Sequence, residues 1–164
     1  QFFRGQVDKY TWRDIGSSYL PSDMLAGFLY AQLEERRHIM EHRAKIWNRY
    51  KEGLGQWAAD KGIRLPIIPS HCQQAFHMFY LLMPDLQTRQ AFIEYMKSRG
   101  ILCVFHYIPL HLSDMGARYG ARPGDCPVSE QISDRLVRLP FFNKLEVEEQ
   151  EYIIRAVKEF VPHN

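Results

Sequence analysis

The sequence predicts an α/β chain, more narrowly an α+β layer domain preceded by long helices, and three observations carry that reading. Apolar residues recur at close to helical spacing from Leu25 to Trp57, the pattern from Ile63 onward changes to short strands alternating with helices, and Gly62, Gly100 and Pro109 punctuate the changes. At 164 residues the chain can bury roughly 70% of the surface its unfolded form exposes, enough for one core.

Residues 1–21 have no sustained periodicity and are rich in Gly, Ser, Tyr and Asp, so they read as an extended loop. Ser22 stands where an N-cap belongs, with Asp23 in the first turn. Leu25, Leu29, Leu33, Ile39, Ile46, Tyr50, Leu54 and Trp57 then follow as an apolar stripe. The polar run Glu34–His38 divides this stretch into two consecutive helices or one bent helix, ending near Gly62.

His77–Met83 is expected to be a strand, and Gln87–Arg99 an amphipathic helix carrying Ala91, Phe92, Tyr95 and Met96 on one face and stopped by Gly100. Ile101–Phe105, apolar and partly β-branched, reads as a buried strand leading into a turn around Pro109. Asp114–Pro127, with Gly116, Gly120 and Gly124, reads as a mobile loop with a short helix. Val128–Arg135 is expected to be helical and Leu136–Pro140 a short strand. Val147–Val161 should close the fold as a helix with Val147, Ile154, Val157 and Val161 along its apolar stripe.

Composition excludes several functions. Hydrophobic residues make up 46% and aromatics 13%, too many for a disordered tail. The 21 basic and 19 acidic residues are scattered, net +2, so no basic stripe tracks a phosphate backbone and nucleic acid is not an expected partner. Cys72, Cys103 and Cys126 form no C-x-x-C pair, which argues against a disulfide framework or zinc ribbon and for a reducing cytoplasm. The most apolar run, Phe76–Met83, is far shorter than the roughly 20 residues a membrane-spanning helix needs. The chain opens on Gln1 without a signal-peptide layout, and the expectation is a piece of a longer protein whose N-terminus lies upstream.

Two places can carry chemistry. The turn after Ile101–Phe105 displays His106, Tyr107 and His111 at a strand end, where imidazoles and a phenol can bond phosphates, sugar hydroxyls or a developing charge; the competing reading is that His106 and Tyr107 are satisfied packing residues. The small-residue loop Gly16–Asp23 opens onto a helix N-terminus, where free amide donors and the helix dipole favour an anion, although ordinary capping by Ser22 and Asp23 accounts for the same residues. Lys9, Tyr10, Trp12 and Arg13 could add cationic and stacking contacts to a nucleotide, or form a solvated polar loop. His77, His106, His111 and Asp114 match no trusted zinc spacing, so no metal is expected. The charges of Glu34–Arg49, including the Glu41–Lys45 pair, read as a solvated helix face.

Gly100–His111, GILCVFHYIPLH, resembles the G-I-x-x-x-x-H-Y-x-P-x-H segment in the C-terminal half of the DegT/DnrJ-type sugar-nucleotide aminotransferases, and GSSYLPSDMLAGFLYAQLE from Gly16 to Glu34 resembles the motif that starts their long connecting helix. The resemblance runs from end to end. It implies the C-terminal portion of a fold-type I pyridoxal-phosphate (PLP) aminotransferase with long connecting helices. Residues 1–21 would be a loop remnant of the large cofactor domain, 22–62 the connecting helical segment and 63–164 the C-terminal small α/β domain.

The same resemblance implies that His106, Tyr107 and His111 are substrate-side groups. Many relatives read G-Y-N-Y-R-M where this chain has Gly16–Asp23, and their Asn helps hold the PLP phosphate of the neighbouring subunit. Ser18 stands at that Asn, so it is the implied cofactor-binding residue, while Leu20 replaces the basic residue two positions on. No lysine here sits in the serine- and histidine-rich context of the Schiff-base lysine, so that catalytic residue would lie upstream and none is assigned in this chain. The opening QFFRGQVDKYTW is close to the group that aminates dTDP-4-keto-6-deoxyglucose with glutamate as amino donor, in enterobacterial common antigen synthesis. The implied partners are a nucleotide sugar, an amino-donor amino acid and a second subunit in a homodimer with interfacial active sites. A stand-alone, non-catalytic nucleotide-sugar binding or interaction module is the rival reading.

Overall fold

The computed structural model describes residues 19–161, and the chain divides into two compact units, one through Arg36 and one from Arg37 onward.

In the first unit, α1 (Asp23–Glu34) starts as expected: the Ser22 hydroxyl accepts from the Leu25 amide at 3.3 Å, and Asp23 sits in the first turn beside the positive end of the helix dipole. At its end Arg36 Nη1 donates to the Leu33 carbonyl at 3.0 Å, one of the acceptors a helix end leaves open. Its Leu25, Leu29 and Leu33 stripe is exposed, and α1 buries no residue.

The second unit holds the core. In α2 (Arg36–Asp60), Ile46, Trp47, Tyr50, Leu54, Trp57 and Ala58 are buried, which continues the helical spacing of the stripe. The expected division at Glu34–His38 is present as the break between α1 and α2 at Glu35. Phe92 and Met96 of α3 (Leu86–Ser98) and Ile153, Ile154, Ala156 and Val157 of α6 (Val147–Glu159) join them in one cluster. Burying one such large side chain is worth about 1.5–3 kcal/mol.

Two polar side chains inside bond across elements. Gln150 is fully buried, yet its Nε2 donates to the Ile46 carbonyl at 2.7 Å and its Oε1 accepts from Arg49 Nη1 at 2.9 Å, tying α6 to α2. The Tyr50 hydroxyl donates to the Pro140 carbonyl at 2.8 Å, and burial pushes its ionisation far above the phenol range.

Among the described residues three short strands complete the layer: β1 (Tyr80–Leu82), β2 (Val104–Phe105) and β3 (Leu136–Arg138), all antiparallel, in the order β1-β3-β2. Antiparallel pairing makes this an α+β layer, the narrower form of the fold class expected. Tyr80, Arg138 and Val104 share one row of the ladder.

Both early strands are shorter than the sequence suggests. His77–Met83 is a strand only over Tyr80–Leu82, closed by single bonds at Phe79 and Met83, because its partner β3 offers three residues, and Phe76, with φ 46°, turns the chain ahead of it. Ile101–Phe105 pairs only over Val104–Phe105. Ile101 and Cys103 point inward, but Leu102, Val104 and Phe105 are exposed, because β2 is an edge strand. Burial pushes the Cys103 thiol up to about 12.

Of the α6 stripe, Ile154 and Val157 are buried while Val147 and Val161 are exposed. Val147 lies in the first turn beside a capping box, where Glu146 and Glu149 exchange side-chain and backbone bonds, and Val161 follows Phe160 after the helix has ended. The covered face runs instead through Gln150, Ile153, Ile154 and Val157, at i, i+3, i+4 and i+7.

Candidate functional site

The site grows out of the end of β2. After Phe105 the chain runs through His106 and Tyr107 to a 3-10 turn, Leu110–Leu112, and into α4 (Asp114–Arg118). Ser113 joins the two: its hydroxyl donates to the Leu110 carbonyl at 2.7 Å and accepts from the Gly116 amide at 3.1 Å as the α4 N-cap. The segment expected as a loop with a short helix is thus α4 followed by a glycine-bearing connection, with φ 87° at Gly120 and 93° at Gly124.

A cavity of about 670 Å³ opens between residues 106–111 and the helix α5 (Pro127–Arg135), with Ser129, Ile132 and Ser133 on the helix side. That volume suits a small-molecule ligand, and the walls are apolar with a few polar groups, as such sites usually are. Two of the three histidine-tyrosine groups present themselves there, and the third is held.

Tyr107 is 73% exposed, so its phenol is free to meet a ligand. The His106 ring packs edge-on to the Tyr107 ring, with centroids 5.1 Å apart, and its Nδ1 is buried with no partner among the described residues. Desolvation lowers the basicity of His106 first, and the charge of Arg138 and the neighbouring His77 lower it further. A neutral imidazole results at neutral pH, with one donor and one acceptor.

That shift has a measurable consequence. The folded chain holds the His106 proton less tightly than the unfolded chain, so its contribution is whole above the ordinary histidine range and is lost as pH falls through that range towards the folded value. Urea midpoints compared at about pH 8 and about pH 5.5 bracket the window. The fall between them is expected to be smaller in His106→Asn, and an equal fall in both proteins contradicts this account.

His111 is committed to a side chain the sequence reading missed. Its Nε2 lies 2.8 Å from Oε1 of Glu130, which also accepts from the Gly124 amide at 2.8 Å. The bond to His111, then that from Gly124, holds the Glu130 carboxyl below the usual range. Ser133, one turn further along α5, donates to the Tyr107 carbonyl at 2.7 Å. Behind it the buried Arg89 of α3 donates from Nη1 to the Ser133 carbonyl at 3.0 Å and lies over the Phe105 ring at 5.2 Å. The only sequence trace of this group was the C-P-V-S-E run at the start of α5, which reads as ordinary helix initiation.

Ser18, the implied cofactor-phosphate residue, lies outside the described residues, as do Lys9, Tyr10, Trp12 and Arg13. The described lysines, Lys45, Lys51, Lys61, Lys97, Lys144 and Lys158, are all exposed, and none lines the cavity. The described residues therefore do not by themselves make a site for the aldehyde of pyridoxal phosphate. No group of three or more metal-ligating side chains comes together among them, and no described helix is long and apolar enough to cross a membrane.

Comparison with known proteins places this fold among the fold-type I aminotransferases, whose cofactor is pyridoxal 5'-phosphate. Within that class the chain belongs to the DegT/DnrJ/EryC1/StrS aminotransferase family, whose profile matches residues 3–158. An uncharacterized protein of Methanocaldococcus jannaschii is 30% identical over 92% of this chain and 39% of its own length. The dTDP-3-amino-3,4,6-trideoxy-alpha-D-glucose transaminase of Streptomyces venezuelae is 26% identical over 95% of this chain and 40% of its own. Among solved structures, S. venezuelae DesV in complex with a ketimine intermediate superposes with a TM-score of 0.80 at 26% identity, covering 96% of this chain and 42% of that one. The chain thus spans about two fifths of the length of these relatives.

Proposed function

We propose that this chain is the C-terminal portion of a sugar-nucleotide aminotransferase that transfers an amino group from glutamate to dTDP-4-keto-6-deoxyglucose, in the synthesis of enterobacterial common antigen, a cell-surface polysaccharide. The observation that carries the reading is the His106–Tyr107 turn walling a cavity of about 670 Å³ in a chain of this aminotransferase family. Residues 1–21 belong to the large cofactor domain, 22–62 connect, and 63–164 form the small domain. The whole enzyme works in the cytoplasm as a homodimer, with its Schiff-base lysine upstream and Ser18 donating to the cofactor phosphate of the neighbouring subunit.

Pyridoxal phosphate supplies the amino-group carrier chemistry. This chain's part is on the sugar side. Tyr107 offers a phenol and His106 a neutral imidazole to the hydroxyl and phosphate oxygens of the nucleotide sugar. His111, bonded to Glu130, shapes the same wall.

The test is the full-length enzyme supplied with pyridoxal phosphate, glutamate and dTDP-4-keto-6-deoxyglucose, with release of 2-oxoglutarate followed. Turnover of glutamate without turnover of this sugar would leave the family and remove the substrate. Tyr107→Phe is expected to raise KM for the nucleotide sugar roughly two- to tenfold, the worth of one hydrogen bond, with cofactor affinity unchanged. Loss of cofactor affinity with an unaltered sugar KM would take Tyr107 off the sugar side.

A further inference from the structure

We infer that Glu130 and Ser133 of α5 are the positioning residues of the substrate-side turn, holding both of its ends in register with the cavity. The inference rests on the function proposed above. The two residues are three apart on a nine-residue helix and so share one face. Glu130 takes the far end of the turn through His111 Nε2 and takes the connection after α4 through the Gly124 amide, both at 2.8 Å. Ser133 takes the near end through the Tyr107 carbonyl at 2.7 Å.

Between those two ties lie Ile108, Pro109 and Leu110, and the first bond of the 3-10 turn is made at Pro109, whose carbonyl accepts from the Leu112 amide at 2.9 Å. β2 stops at Phe105, so its ladder does not reach Tyr107, while the far end is closed by the 3-10 turn's own bonds and by the Ser113 hydroxyl on the Leu110 carbonyl at 2.7 Å. The Ser133 bond thus holds the Tyr107 backbone where the sheet no longer does, and the Glu130 carboxylate sets the ring of a His111 whose backbone the 3-10 turn already holds.

α5 is suited to this task because it is anchored from behind. Arg89 donates to the Ser133 carbonyl at 3.0 Å and Arg135 Nε donates to the Met83 carbonyl at 2.6 Å, so the last turn of the helix is tied both to α3 and to the segment following β1. None of α5's residues is buried, so the helix adds little to the core. Ser129 and Ile132 line the cavity between the two ties.

The experiment uses the full-length enzyme. Glu130→Ala is expected to raise KM for the nucleotide sugar about tenfold and Ser133→Ala about threefold, since a bond to a charged acceptor outweighs a neutral one, while the half-reaction with the amino donor keeps its rate. Glu130→Gln and Ser133→Thr, which keep an acceptor and a hydroxyl, should recover most of the loss.

A second readout needs no substrate. With histidines labelled in nitrogen-15, His111 should show its proton on Nε2 in the wild type and in Glu130→Gln, and lose that single form in Glu130→Ala. If both half-reactions fall together with KM unchanged, the residues only support the fold and the inference is wrong. An altered His111 signal with an unaltered sugar KM overturns it as well. If the wild-type enzyme does not aminate the sugar, the proposed function fails, and an unchanged His111 signal in Glu130→Ala would separately refute the tie itself.

Discussion

Phe79→Ala is expected to destabilise the second unit by about 3–5 kcal/mol, a large share of the roughly 5–15 kcal/mol that holds a typical domain folded. Phe79 is fully buried, and its ring meets Trp47 at 5.5 Å with 66° between planes and Tyr50 at 5.2 Å with 34°. Its carbonyl also accepts from the Leu139 amide at 3.1 Å, so it lies where α2 and the sheet meet. Truncation removes the transfer energy of the ring and leaves a cavity between two large aromatics that cannot collapse into it. Tryptophan fluorescence during urea unfolding should show the midpoint falling by roughly 2 M. Phe142→Ala, at a half-exposed position, is the control. A shift no larger than the control's would mean that the layer is held together elsewhere.

Gly116→Ala should have the largest effect on the cavity wall. A β-carbon there would overlap the Leu110 carbonyl oxygen and come within 2.9 Å of the backbone of His111, distances real β-carbons essentially never show. These neighbours cannot step aside cheaply, because the Leu112 amide bonds to the Pro109 carbonyl at 2.9 Å and the Ser113 amide to the Leu110 carbonyl at 3.1 Å. The substitution must move α4 or unwind the 3-10 turn, at about 1–3 kcal/mol. His111 should move away from Glu130 as it does. Gly55→Ala is the matched control, since nothing lies within 4 Å of a β-carbon there and alanine is the better helix former. A crystal structure of Gly116→Ala with the His111–Glu130 bond intact would contradict this account.

The helices were legible because their signals are local. The N-cap at Ser22, the stripe Ile46, Tyr50, Leu54 and Trp57, and the stop at Gly100, where φ is 73°, each depend on residues within one or two turns of one another. Strand ends were not legible. His77–Met83 and Ile101–Phe105 carry strand-like composition throughout, but how much of each pairs was decided by the three residues that β3 offers. The ends of the α6 stripe failed for a similar reason, since Val147 and Val161 have the right chemistry and lie where no core covers them.

For the site, the sequence by itself determined the histidine-tyrosine turn and, through the G-I-x-x-x-x-H-Y-x-P-x-H pattern, the family to which the chain belongs. Only the tertiary structure decided which of those groups is free. Tyr107 faces outward, His106 is held neutral by burial and by Arg138, and His111 is occupied by Glu130, nineteen residues along the chain. Arg89 reaches Ser133 across 44 residues. A capping residue or an apolar stripe announces itself because its partners are fixed by helical geometry. A carboxylate that clamps a distant imidazole looks in sequence like any other first-turn glutamate, and its role exists only once the fold has brought the two together.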